Sequence, residues 1–170
     1  LSSLRLIKVL LIKSINVRKL KSQILNLLKI SHLEIKQFII NDLLCLLLIK
    51  KPLLFDEITD LLNKFLINPT LKLNIINLLK EILKTKIEQD LKIRILNFLK
   101  QSIEEGLVTP HDFIDEAVAR ISSKNLEIAN IALELFKIMM KQKVNLESLK
   151  LDVLFELLFK ISPENKLYII

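Results

Sequence analysis

Apolar residues recur three and four positions apart along almost the whole chain, which is the period of helices that bury one face. The stretch Asn68 to Lys84 shows it most completely. Leu71, Ile75, Leu78, Leu79, Ile82 and Leu83 make one stripe, while Lys72, Lys80 and Lys84 lie off it. Leu73 and Ile76 widen the stripe and predict contacts on more than one side. Asn68 precedes the stripe as a capping residue whose side-chain oxygen accepts a first-turn N–H. Pro69 then occupies the first helical position, where its missing N–H costs nothing.

The same reading predicts helices over about 2–14, 17–29, 32–50, 53–66, 69–84, 86–105, 110–121, 125–142 and 146–161, with a last one opening at Pro163. Asn16 is expected to cap the second. Ser31 with Glu34, and Thr85 with Glu88, have capping-box spacing and are expected to open the third and sixth. Pro52 starts the fourth, Thr109-Pro110 the seventh, and Ser123 or Asn125 the eighth. Gly106, the single glycine, is placed to end a helix in a left-handed turn. About ten helices joined by links of two to four residues run antiparallel in succession.

The helix starts repeat. Asn68-Pro69-Thr70-Leu71-Lys72-Leu73-Asn74-Ile75 aligns with Ser162-Pro163-Glu164-Asn165-Lys166-Leu167-Tyr168-Ile169, and Ser31-His32-Leu33-Glu34 aligns more loosely with Ser123 to Glu127. The spacings are 37 residues from Ser31 to Asn68 and 39 from Ser123 to Ser162. A two-helix unit of this length resembles the HEAT repeat family, with armadillo arrays next. That family opens its second helix with a small polar residue or Asx-Pro and then an apolar–basic pair. Leu71-Lys72 fits the pair; Leu33-Glu34, Leu126-Glu127 and Asn165-Lys166 depart from it. The 55 residues from Asn68 to Ser123 leave room for an extra helix. The resemblance implies an all-α, HEAT/armadillo-like α-α superhelix over residues 1–170, a single domain that reads as part of a longer repeat array.

Composition agrees with helices: 51% hydrophobic residues, one Gly, four Pro and 5% aromatics leave too few turn residues for a sandwich or barrel. Mean hydropathy is high, at +0.42, so membrane spanning needs a test. The longest uncharged apolar run, Leu43 to Ile49, is far short of the roughly 20 residues a spanning helix needs. Cys45 is the sole cysteine, flanked by leucines. It predicts a buried, inert thiol and fits an intracellular setting, cytoplasmic rather than nuclear.

The net charge of +7 is uneven, with 18 Lys/Arg against 8 Asp/Glu in residues 1–100 and 8 against 11 in 101–170. Of the 26 cations 22 are Lys, and phosphate-reading surfaces favour Arg forks. His32 and His111 stand apart from any metal-spaced ligand set, and one glycine cannot build a phosphate loop. Asp112, Asp115 and Glu116 sit where a helix dipole favours acids. Phe38, Phe55, Phe65, Phe98, Phe113, Phe136, Phe155 and Phe159 mostly fall on apolar stripes and read as core fillers. The chain therefore reads as non-catalytic, with no cofactor and no metal.

The resemblance implies a scaffold that binds protein partners within a larger complex, through a groove lined by second helices. Lys36, Lys72 and Asn74 are its candidate lining, with Asn68, Thr70, Lys124 and Asn125 along one edge. An alternative is a nucleic-acid or chromosome-associated array that uses the basic residues of 1–100. Arg5, Lys8, Arg18, Lys19 and Lys21 would then meet phosphates. A tubulin-binding TOG-type array is a third reading, and the absence of Trp counts against it.

Overall fold

The computed structural model describes residues 2–142. Every regular element among them is helical: α1 (Ser2–Ile12), α2 (Val17–Ile30), α3 (Leu33–Phe38), α4 (Cys45–Lys50), α5 (Leu54–Leu66), α6 (Pro69–Lys84), α7 (Gln89–Glu104), α8 (Ile114–Ile121) and α9 (Leu126–Lys141). A π-helical stretch, Ile39–Leu44, joins α3 to α4 as one unbroken rod over 33–50, and a 3-10 turn, Pro110–Phe113, leads into α8. The chain is all-α over these residues. The helices expected over 146–161 and from 163 lie outside them. Two compact units are present, Leu1–Leu91 and Lys92–Ile170, divided within the first turn of α7.

The first unit is built on the rod, which packs against α1, α2 and α6, while α5 packs on α6. Ile39, Ile40, Leu43, Leu44, Leu47 and Leu48 are all 0% exposed. They form three adjacent pairs repeating every four residues. The expected uninterrupted α-helix over 32–50 is corrected in its middle third, where the turn widens over Ile39–Leu44 in the segment that α1, α2 and α6 all pack against.

Polar contacts show how neighbouring helices are registered. Lys8 on α1 bonds Asp42 on the rod, 34 residues on, and Lys50 at the rod's end bonds Ser14, 36 residues back. Both pairs advance together, so α1 and the rod lie side by side and parallel. Lys21 on α2 meets Glu57 on α5 at 2.7 Å, again 36 residues apart. Asn74 on α6 donates to Asn41 on the rod at 2.8 Å, 33 apart.

The second unit repeats the relation. Lys100 on α7 reaches Glu134 on α9 at 2.5 Å, 34 residues on, and Gln142 donates to the Ile103 carbonyl at 3.5 Å, 39 back. Within each unit, then, helices two apart in sequence are lateral neighbours. In the second unit α8 packs on α9, and Phe98, Phe113 and Phe136 fill the core.

The helix ends sort the expected caps. Asn68 accepts from the N–H groups of Thr70 (3.0 Å) and Leu71 (3.2 Å), with Pro69 first in the helix. Asn125 does the same for Glu127 (3.0 Å) and Ile128 (3.2 Å), and so settles the start of α9. Gly106, at φ +72°, gives a Schellman end: its N–H meets the Ile103 carbonyl and the Leu107 N–H meets that of Ser102 at 2.8 Å.

Both capping boxes are corrected. Ser31 turns back and donates to the Leu27 carbonyl at the end of α2. Thr85 donates to Ile82 O at 2.7 Å at the end of α6. Residues 86–88 are not helical and α7 starts at Gln89. A hydroxyl can satisfy an orphan carbonyl behind it as readily as an orphan N–H ahead. Asn16 is left-handed (φ 50°) and makes no side-chain cap. Leu73 is 62% exposed whereas Ile76 is buried. Leu73 points nearly opposite the Ile75–Leu79–Ile82 stripe, so only Ile76 widens it.

Replacing Asn68 by Ala should lower stability of the first unit by about 1 kcal/mol, with Asn68→Ser restoring most of it in urea titrations. Gly106→Ala should cost the second unit about 1–2 kcal/mol through its positive φ alone, because a Cβ there meets nothing within 4 Å.

Candidate functional site

Eight of the ten expected partner-binding residues fall in the first unit: Arg18, Lys19, Lys21, Lys36, Asn68, Thr70, Lys72 and Asn74. Lys124 and Asn125 belong to the second. The structure splits the first eight by role. Asn68 spends its side-chain oxygen on the cap, and Asn125 does so in the second unit. Thr70 and Lys124 are exposed, and Lys72 is half-buried.

Lys36 lies over the Phe65 ring, Nζ 5.4 Å from its centroid, so its stem covers apolar surface at the α3–α5 contact. Asn74 is held by Asn41. Arg18 and Lys19 are exposed on the first turn of α2. Lys21, one turn along, is committed to Glu57.

Lys21 also lines a cleft of about 390 Å³ with Lys50, Lys51, Pro52, Leu53, Leu54 and Glu57. Lys21 pairs with Glu57 there and Lys50 bonds Ser14, so three lysines and one acid line the cleft, a lining that suits an acidic side chain. Sequence reasoning missed Lys50 and Lys51 because they are distant from Lys21 along the chain; the end of the rod brings them back to α2.

A second concavity, about 500 Å³, is lined by Ser3, Leu6, Ile7 and Leu10 of α1 and Leu20, Gln23, Asn26 and Leu27 of α2. The signal for it was present in α1, whose apolar residues ring the helix and leave Leu6 60%, Val9 46% and Ile12 58% exposed. A helix apolar on all sides is one that packs on all sides.

In the second unit, Glu116 is buried and its carbonyl accepts from Arg120 Nη1 at 2.6 Å. Burial lowers the Arg120 pKa and Glu116 opposes that shift. Burial first, then the Arg120 charge, lowers the pKa of Lys92. The acids Asp112, Asp115 and Glu116 do not converge: Asp112 accepts from Thr109, Asp115 is exposed, and Glu116 turns inward. Among the described residues no His/Cys/Asp/Glu group has metal-binding geometry, and no helix is long and apolar enough to cross a membrane.

Cys45 is half-buried at the junction of the π stretch and α4, rather than fully enclosed. Burial first and the Glu81 carboxylate second push its pKa up. It stays a thiol at neutral pH, as its leucine neighbours suggested.

No protein-family model matches the chain, and no curated protein or solved structure matches it either.

Two measurements test this chemistry. Iodoacetamide should modify Cys45 more slowly in the folded chain than in the urea-unfolded one at about pH 8.5, because the fold disfavours the thiolate nucleophile. The hydrogen bond to Glu134 raises the Lys100 pKa, opposed in part by burial. A raised ammonium pKa stabilises below the unfolded value near 10.4 and is lost as pH rises through the folded one. A Lys100→Ala/Glu134→Ala double-mutant cycle should give under about 1 kcal/mol of coupling at neutral pH, fading as pH rises through the raised Lys100 pKa.

Proposed function

We propose that the chain is a non-catalytic helical-repeat scaffold of HEAT/armadillo-like kind that binds protein within a larger assembly. One observation carries the reading. Within each unit, helices two apart in sequence lie side by side, with polar pairs 33 to 39 residues apart. That separation is close to the 37- and 39-residue spacing of the repeated helix starts. Stacked helical hairpins share one core between neighbours, and a lateral register of one repeat length is what such stacking produces. In this reading the Lys36, Lys72 and Asn74 side chains edge the partner groove, and the Lys21–Lys50–Lys51 cleft receives an acidic side chain.

The distribution of charge supports a second reading, a nucleic-acid-binding array. Residues 1–33 contain seven Lys/Arg and no Asp/Glu. Its weakness is internal: Lys8 and Lys21 are already committed to Asp42 and Glu57.

Affinity capture from a native lysate, with and without nuclease, separates the two. The scaffold reading expects proteins that persist after nuclease and are lost with the Lys36→Glu/Lys72→Glu chain. The nucleic-acid reading expects loss on nuclease treatment, together with an affinity for duplex that falls by orders of magnitude between about 50 and 200 mM salt.

A further inference from the structure

The groove between α1 and α2 leaves apolar helix-to-helix surface open in the first unit. Shifted by 34 residues, the separation of the Lys8–Asp42 pair, Leu6 and Leu10 fall on Ile40 and Leu44 of the rod, each 0% exposed. The rod buries at those positions what α1 presents to solvent on its groove side. Leu6 is 60% exposed there, and Leu6, Ile7, Leu10, Leu20 and Leu27 supply most of the lining. An apolar groove between two helices accepts a third helix by its apolar stripe.

Charge decides what kind of helix. Lys13 stands in the turn just past α1, three residues after Leu10, and Lys19 on α2 one turn before Gln23. Both therefore extend the lining stripes toward the α1–α2 link. Both are exposed, and α1, α2 and their link contain no acid to answer them. We propose that this groove docks an amphipathic helix of a separate protein, its apolar stripe between Leu6, Leu10 and Leu27 and its acidic residues against Lys13 and Lys19. The proposal rests on the scaffold reading and gives it a partner class.

The test uses the full chain and two labelled helical peptides of about 18 residues, a length that holds helix in water. Both bear a Leu stripe, flanked by Glu in one and by Lys in the other. Fluorescence anisotropy should show the Glu peptide binding and the Lys peptide binding at least about tenfold more weakly. Leu6→Glu, at an exposed position that leaves the core intact, should weaken the Glu peptide by about tenfold or more, and Lys19→Glu by about threefold or more.

Hydrogen exchange on the bound chain should show added protection confined to α1 and α2. Equal binding of both peptides, indifference to Leu6→Glu, or protection elsewhere overturns the proposal. So does finding that anionic vesicles, a DNA duplex or a second copy of the chain occupies the groove, with Leu6→Glu abolishing that binding instead. Nuclease-resistant capture lost only with Lys36→Glu/Lys72→Glu would leave the scaffold reading standing while this site fails.

Discussion

The first unit depends on one buried face, the three apolar pairs of the rod over 33–50. Each of those six side chains is withdrawn from water completely. Full burial of a Leu or Ile is worth roughly 1.5–3 kcal/mol, so a rod that lost this alignment would lose more than any polar contact in the unit supplies. The π stretch Ile39–Leu44 lies within that face. α1, α2 and α6 then take their places against it.

The ion pairs act differently. Lys8–Asp42 and Lys21–Glu57 are partly exposed, and pairs of that kind contribute about 0–1 kcal/mol each. Their importance lies in what they select. A helix sliding by one turn on its neighbour keeps much of its apolar contact but separates each ammonium from its carboxylate. The Asn41–Asn74 bond makes the same discrimination without charge. Greasy stripes thus supply the free energy, and a thin set of polar pairs supplies the register.

The surface left over is uneven in a way that bears on function. Once Lys8 and Lys21 are matched by acids from later helices, the cations of residues 1–33 are concentrated at the first helical hairpin. Next to them lies apolar surface that the interior of the unit would bury. Basic and apolar surface together suit a partner that is both acidic and amphipathic, and suit bare phosphate less well, because phosphate has no use for Leu6 or Leu10.

The sequence by itself determined where helices lie, because a stripe three and four residues apart and a cap such as Asn68, Asn125 or Gly106 act within one or two turns and need nothing distant. Only the tertiary structure decided which way an ambiguous group faces. Ser31 and Thr85 each had an N–H ahead and a carbonyl behind within reach, and the path of the link to the next packed helix chose the carbonyl. Ile76, at the flank of its stripe, joined the core once α5 and the rod packed on α6. Lys21 gained Glu57 from the parallel α5, and Lys50 and Lys51 from the returning end of the rod, across 29 to 36 positions, a distance over which local pattern carries no information.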